Sequence, residues 1–126
     1  MKQLSTLFFL LVLTTALFAQ DTPSILKKWK LTEIEEFGSK YPLTDVQQND
    51  FLTFTTEHTF AGLINGESFE GTWSEKAGKY TLTPNKEKST FKVNWIKLVS
   101  IDKEQLVLNY QSVDLIKTSL FFQVTE

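Results

Sequence analysis

The chain of 126 residues contains no cysteine, no arginine and a single histidine, His58. Without cysteine no disulfide can brace the fold in an oxidising compartment, so the apolar core has to suffice. One histidine and no thiolate leave no converging ligand set for zinc. All 13 basic residues are lysines against 15 acids, giving a net charge of −2, so no strongly basic face for nucleic acid is implied. The bidentate fork of arginine is unavailable to any anion. Five glycines and three prolines form no phosphate-cradling loop, and neither a nucleophile elbow nor an HExxH run occurs. The acids are too scattered for a calcium loop. Glu33 and Glu35, and Glu67 and Glu70, lie close in sequence, but charged residues near strand ends are ordinarily solvated and keep edges from associating. His58 is read as a solvated turn residue. No catalytic residue, metal ligand or cofactor is expected, and the protein is read as a non-enzyme.

What the sequence does hold begins with a leader. Lys2 supplies a positive start, Leu7 to Phe18 an apolar stretch too short to span a bilayer, and Ala19 a small residue at the cleavage point. Residues 1–19 are therefore read as a secretory signal peptide and 20–126 as a single domain. The protein is expected in the periplasm or outside the cell, with no transmembrane segment in the mature chain. Aromatics are abundant: eleven phenylalanines, three tyrosines and three tryptophans, a large apolar payload for one small core.

Beyond an entry segment at Pro23 to Leu26, apolar residues recur with period two between turn signals, which predicts strands. They run Trp29–Phe37, Phe51–Thr56, Thr59–Asn65, Glu67–Ser74, Lys79–Thr83, Thr90–Val99, Gln105–Gln111 and Leu115–Thr125. Asn65-Gly66 supplies the positive φ angles of a two-residue hairpin. Short connections at Glu57-His58, Lys76–Gly78, Pro84–Lys88, Asp102–Glu104 and Ser112–Asp114 suit antiparallel neighbours in sequence order. Gly38–Asp50 is the one long connection, a surface loop or a lid over an opening. An open meander would leave two edges, so the fold class predicted is all-β, a single eight-stranded antiparallel up-and-down barrel, closed or nearly so, with little or no helix. One face collects Phe69, Gly71 and Trp73, then Tyr80 and Leu82, Leu106, Leu108 and Tyr110, and Ile116, Leu120, Phe122 and Val124. Two strands break the alternation. Trp29 and Leu31 share parity with Glu33 and Glu35 while Ile34 takes the other, which predicts a bulge or an exposed end. Phe91, Val93 and Trp95 oppose Ile96 and Leu98, so one set must change faces.

This pattern resembles the small secreted lipocalin-like proteins of bacteria over most of residues 25–126. The matching pieces are Leu26, Trp29 and Leu31; Phe54 followed by Glu57-His58-Thr59-Phe60; Gly71-Thr72-Trp73; Tyr80-Thr81-Leu82-Thr83; and Leu98, Ile101, Leu106 and Leu108. The chain departs from the family at Lys27, where glycine is frequent, and at Glu57-His58, where Asp-Gly is. The resemblance implies a lipocalin-like barrel that takes a small apolar molecule in its interior.

An eight-stranded barrel is just wide enough to be filled by its own side chains or to hold one small ligand. Phe54, Phe60, Trp73, Tyr80, Trp95, Tyr110 and Phe122 are the candidate lining of an aromatic lumen for a fatty acid-like ligand. Gly62, Gly71 and Thr118, facing in, would open space beside them, and the Tyr80 or Tyr110 hydroxyl would meet a polar end. Trp29 and Trp73 equally suit a plain core. If the lumen is full, the alternative is an interaction module, such as an inhibitor, immunity or envelope-associated protein, that docks a protein partner through loops or surface aromatics, with Phe37, Tyr41, Phe51 and Phe121 as candidates.

Overall fold

The computed structural model describes residues 24–125; the expected leader lies outside the described residues. Nine strands make one antiparallel sheet: β1 (Lys28–Glu36), β2 (Ser39–Tyr41), β3 (Phe51–Phe54), β4 (Thr59–Ile64), β5 (Glu67–Lys76), β6 (Lys79–Pro84), β7 (Val93–Ile101), β8 (Gln105–Ser112) and β9 (Lys117–Val124). Their spatial order is β6-β5-β4-β3-β1-β9-β8-β7, with the short β2 pairing beside the upper half of β1. Eight strands thus curl into a nearly closed barrel, as the alternation and the edge argument predict. First and last long strands pair, Trp29 opposite Val124 through Glu36 opposite Thr118. The remaining opening lies between β6 and β7, which are not hydrogen-bonded neighbours.

The turns follow local chemistry. Asn65 and Gly66 take φ of 55° and 74°, the paired positive values of the predicted hairpin. Ala77-Gly78 and Phe37-Gly38 repeat the device; the second ends β1 one residue before the predicted boundary and starts β2 inside what the sequence reads as a loop. The rest of that connection carries a single 3-10 turn, Asp45–Gln47.

Both broken alternations are bulges. On β1, Leu31 faces Phe122 and Glu33 faces Phe121, so Thr32 is an extra residue and Ile34 turns inward with Trp29 and Leu31. On β7, the register slips between Val93 and Trp95 and again between Leu98 and Ser100. Asn94 and Val99 are thereby unpaired, which brings Val93, Ile96, Leu98 and Ile101 onto the core.

Candidate functional site

The barrel has two differently sealed ends. At the end where the chain enters, Trp29 is fully buried and its indole Nε1 donates to the Ile25 carbonyl at 3.1 Å, so the entry segment is stitched across the opening. Trp73 does the same for the neighbouring turn, donating from Nε1 to the Thr55 carbonyl at 3.1 Å. The exposed His58 lies against the Trp73 ring at 4.6 Å between centroids.

At the opposite end a buried polar group does the sealing. Asp50, without solvent exposure, accepts the backbone N–H groups of Asn65 and Gly66 at 2.6 and 2.9 Å. Gln47 Nε2 donates to Asn65 Oδ1 at 2.9 Å, so the connection after β2 is fastened to the β4–β5 hairpin. Burial pushes the Asp50 carboxyl up from its ordinary value, and the two N–H donors and the Lys30 charge oppose that rise. Burial likewise raises the Tyr110 hydroxyl, the polar Thr118 and Asn65 side chains opposing that rise and the Glu36 and Asp50 charges adding to it. Thr118, itself buried, donates to Glu36 Oε2 at 3.0 Å.

Between the ends runs a series of aromatic rings. Trp73 meets Phe54 at 6.5 Å, Phe54 meets Phe60 at 5.7 Å, Phe60 meets Phe69 at 5.3 Å, Phe69 meets Phe91 at 5.3 Å and Phe91 meets Tyr110 at 5.1 Å. These are the tilted and edge-on contacts aromatic pairs favour. Of the seven residues singled out as a lumen lining, Phe54, Phe60, Trp73, Tyr110 and Phe122 are buried core, and Tyr80 is half-buried against it. Trp95 is not part of the core. The Asn94 bulge sends its ring to the outer face, where Lys97 Nζ lies 5.1 Å from its centroid. The glycines open no lumen either. A Cβ at Gly62 would collide with the Phe51 carbonyl, and one at Gly71 with the Thr83 carbonyl and, at 2.9 Å, with Phe60 Cζ. Their smallness serves close strand approach.

Of the surface aromatics, Phe37 and Tyr41 are exposed, whereas Phe51 and Phe121 are covered by lysines. Phe51 lies under Lys28 Nζ at 4.8 Å and Phe121 under Lys40 Nζ at 4.9 Å, and Lys40 is held by Glu33 at 3.5 Å.

Where the barrel stays open, two adjoining clefts follow the seam. The more enclosed, of about 220 Å³, is lined by Tyr80, Leu82, Ile96 and Leu98 with Lys79, Thr81 and Lys97. The other, of about 490 Å³, continues past Tyr80 and Leu98 to Ile101. Tyr80 is the hinge between cleft and core, its ring 6.0 Å from Trp73; burial and the Glu75 charge hold its hydroxyl above the ordinary value. Sequence reasoning named Tyr80 but not Leu82, Ile96, Leu98 or the two lysines as cleft residues. The sequence reads Pro84–Lys88 as a short connection between paired neighbours, and here the structure corrects it: β6 ends at Pro84, β7 starts only at Val93, and the two strands are not hydrogen-bonded.

The described residues hold no grouping of acids and His58 that would bind a metal ion, and no helix long and apolar enough to cross a membrane. An open barrel with an aromatic interior is the architecture of a lipocalin-like protein. The chain matches the lipocalin-like domain family over residues 25–108 and belongs to it. Among solved structures, a protein from Burkholderia xenovorans determined by NMR is similar at 14% identity, with 80% of this chain and 83% of that one covered and a TM-score of 0.48. No curated protein matches the chain.

Proposed function

We propose that the protein is an exported, non-catalytic lipocalin-like carrier of a small hydrophobic ligand, admitted at the β6–β7 seam. The observation that carries this reading is the 220 Å³ cleft, whose Tyr80, Leu82, Ile96 and Leu98 walls connect open solvent to the aromatic core. The ligand rests in this cleft and not in the central lumen, because the rings from Trp73 to Tyr110 occupy each other's contact surfaces. Burial of apolar surface supplies the affinity, about 25 cal/mol for each Å² withdrawn from water before association costs. Export follows from the leader pattern of residues 1–19, and N-terminal sequencing of the secreted protein tests it.

Native mass spectrometry of protein purified without detergent tests the carrier role. A discrete added mass, lost on gentle heating, is expected. An apo mass that stays unchanged when fatty acids are offered would refute it and favour the second reading, a protein-interaction module. That reading rests on a separate observation: Phe37, Val46, Val113 and Leu115 are more than half exposed and all belong to connections at the Asp50-sealed end.

A further inference from the structure

The two clefts along the seam have an uneven charge. Lys79 and Lys97 stand on the walls of the smaller cleft, one from each edge strand, and Lys79 also lines the larger one. Among the described residues no aspartate or glutamate lines either cleft. Among the described residues neither lysine is ion-paired, whereas Lys40 on the far wall is. Glu75, opposite Tyr80 across the β5–β6 ladder, has one carboxylate oxygen taken by the Gly78 N–H at 2.6 Å. Lys97 has, among the described residues, the face of Trp95 as a partner, a contact it can exchange for a carboxylate. In a protein of net charge −2, an apolar slot with two free ammonium groups and no acid is a local reversal of sign.

We infer that the seam selects a single-chain amphiphile with an anionic head, its tail along Tyr80, Leu82, Ile96 and Leu98 and its head held by Lys79 and Lys97. The inference rests on the carrier reading and specifies its ligand. Lysines act here as point charges without geometric discrimination, so carboxylate and sulfate heads of equal chain length bind alike. Recognition is lateral: the head stays in solvent at the barrel wall, and neither sealed end has to open.

Amide chemical-shift titrations of the purified protein with decanoate and with decanol test this, alongside the variant Lys79→Met/Lys97→Met. Decanoate is expected to bind about tenfold more tightly than decanol at low salt, each exposed charge contact contributing a few-fold, with the advantage shrinking as salt rises. The double variant should remove the preference by weakening decanoate about tenfold relative to decanol, with shifts concentrated in β6 and β7. A Lys40→Met control should keep the preference. Equal binding of both ligands by the unaltered protein overturns the head-group inference and leaves the carrier reading standing. Shifts confined to the Asp50 end overturn the seam as the site. Binding of neither ligand overturns the carrier reading itself.

Discussion

The barrel meets itself twice, and the two junctions are built differently. At β1–β9, strands from opposite ends of the chain pair over seven positions, with Leu31, Leu120 and Phe122 buried beneath them. At β6–β7, strands close in sequence approach without a ladder, and Tyr80, Leu98 and Ile101 stay half-buried. Proximity along the chain therefore does not decide closure. β6 carries Tyr80 and Leu82 inward and ends at Pro84, which has no N–H to extend a ladder, while β7 has two bulges and Lys97, devices that keep an edge from pairing. The junction that supplies stability and the one that supplies an opening are separate, so each can be altered without the other.

The largest effect should come from the closed junction. Phe122→Ala, at a side chain without solvent exposure, is expected to cost about 3–5 kcal/mol in urea unfolding; a loss below about 1 kcal/mol would mean that β9 adds little to closure. Next is Gly71→Ala, whose new methyl meets the Thr83 carbonyl and the Phe60 ring. Because β5 carries the open edge strand, about 2 kcal/mol of destabilisation is expected, together with a changed Trp73 emission spectrum.

Asp50→Asn should cost about 1–2 kcal/mol, since an amide can accept only one of the two N–H groups well. Its pH dependence has a definite sign. The Asp50 carboxyl is raised in the folded state, so its stabilising contribution is complete below the ordinary 3.8 and is lost as pH rises through the raised value. The stability gap between protein and variant should thus widen from neutral pH toward pH ~4, as denaturation curves at both ends will read. Asp102 is the contrast. It accepts the N–H groups of Glu104 and Gln105 at 2.8 and 2.7 Å in full solvent, and those bonds hold its carboxyl below the usual value. Its contribution is present above the ordinary 3.8 and disappears as pH falls through the lowered value, so Asp102→Asn should matter least in acid. Identical outward pairs of donors act on both groups, and burial alone reverses the direction.

The smallest energetic effect belongs to the seam. Leu98→Ala, half-buried at the cleft, is expected to cost about 1 kcal/mol or less. Hydrogen exchange should find the seam-facing amides of β6 and β7 far less protected than those of β1 and β9; equal protection would mean that the barrel is closed in solution.

Much of the barrel is legible in the alternation. Phe69, Trp73, Leu106, Leu108, Leu120 and Phe122 all read as inward and are buried, because period two is a local property of a pleated strand. The Thr32 bulge is legible too, as a parity conflict between Leu31 and Ile34. Trp95 is misread for a related reason: Phe91, Val93 and Trp95 alternate without a break, and only the ladder with β8 makes Asn94 the extra residue. The seam is the least legible feature, since which neighbour a strand lacks is a property of the assembled sheet. Asp50 left no signal either; its partners Asn65 and Gly66 belong to another hairpin, and spacing along the chain does not bring them together.

Thr32 bears on how the chain can change length. Removing it would leave Leu31 in, Glu33 out and Ile34 in, a strand with unbroken alternation and every neighbouring side chain on its present face. An inserted residue that leaves the inside and outside of its strand intact acts as slack in the wall, adding local twist where the barrel closes. Loss of one residue there is the single-residue deletion in β1 that the interior would not register.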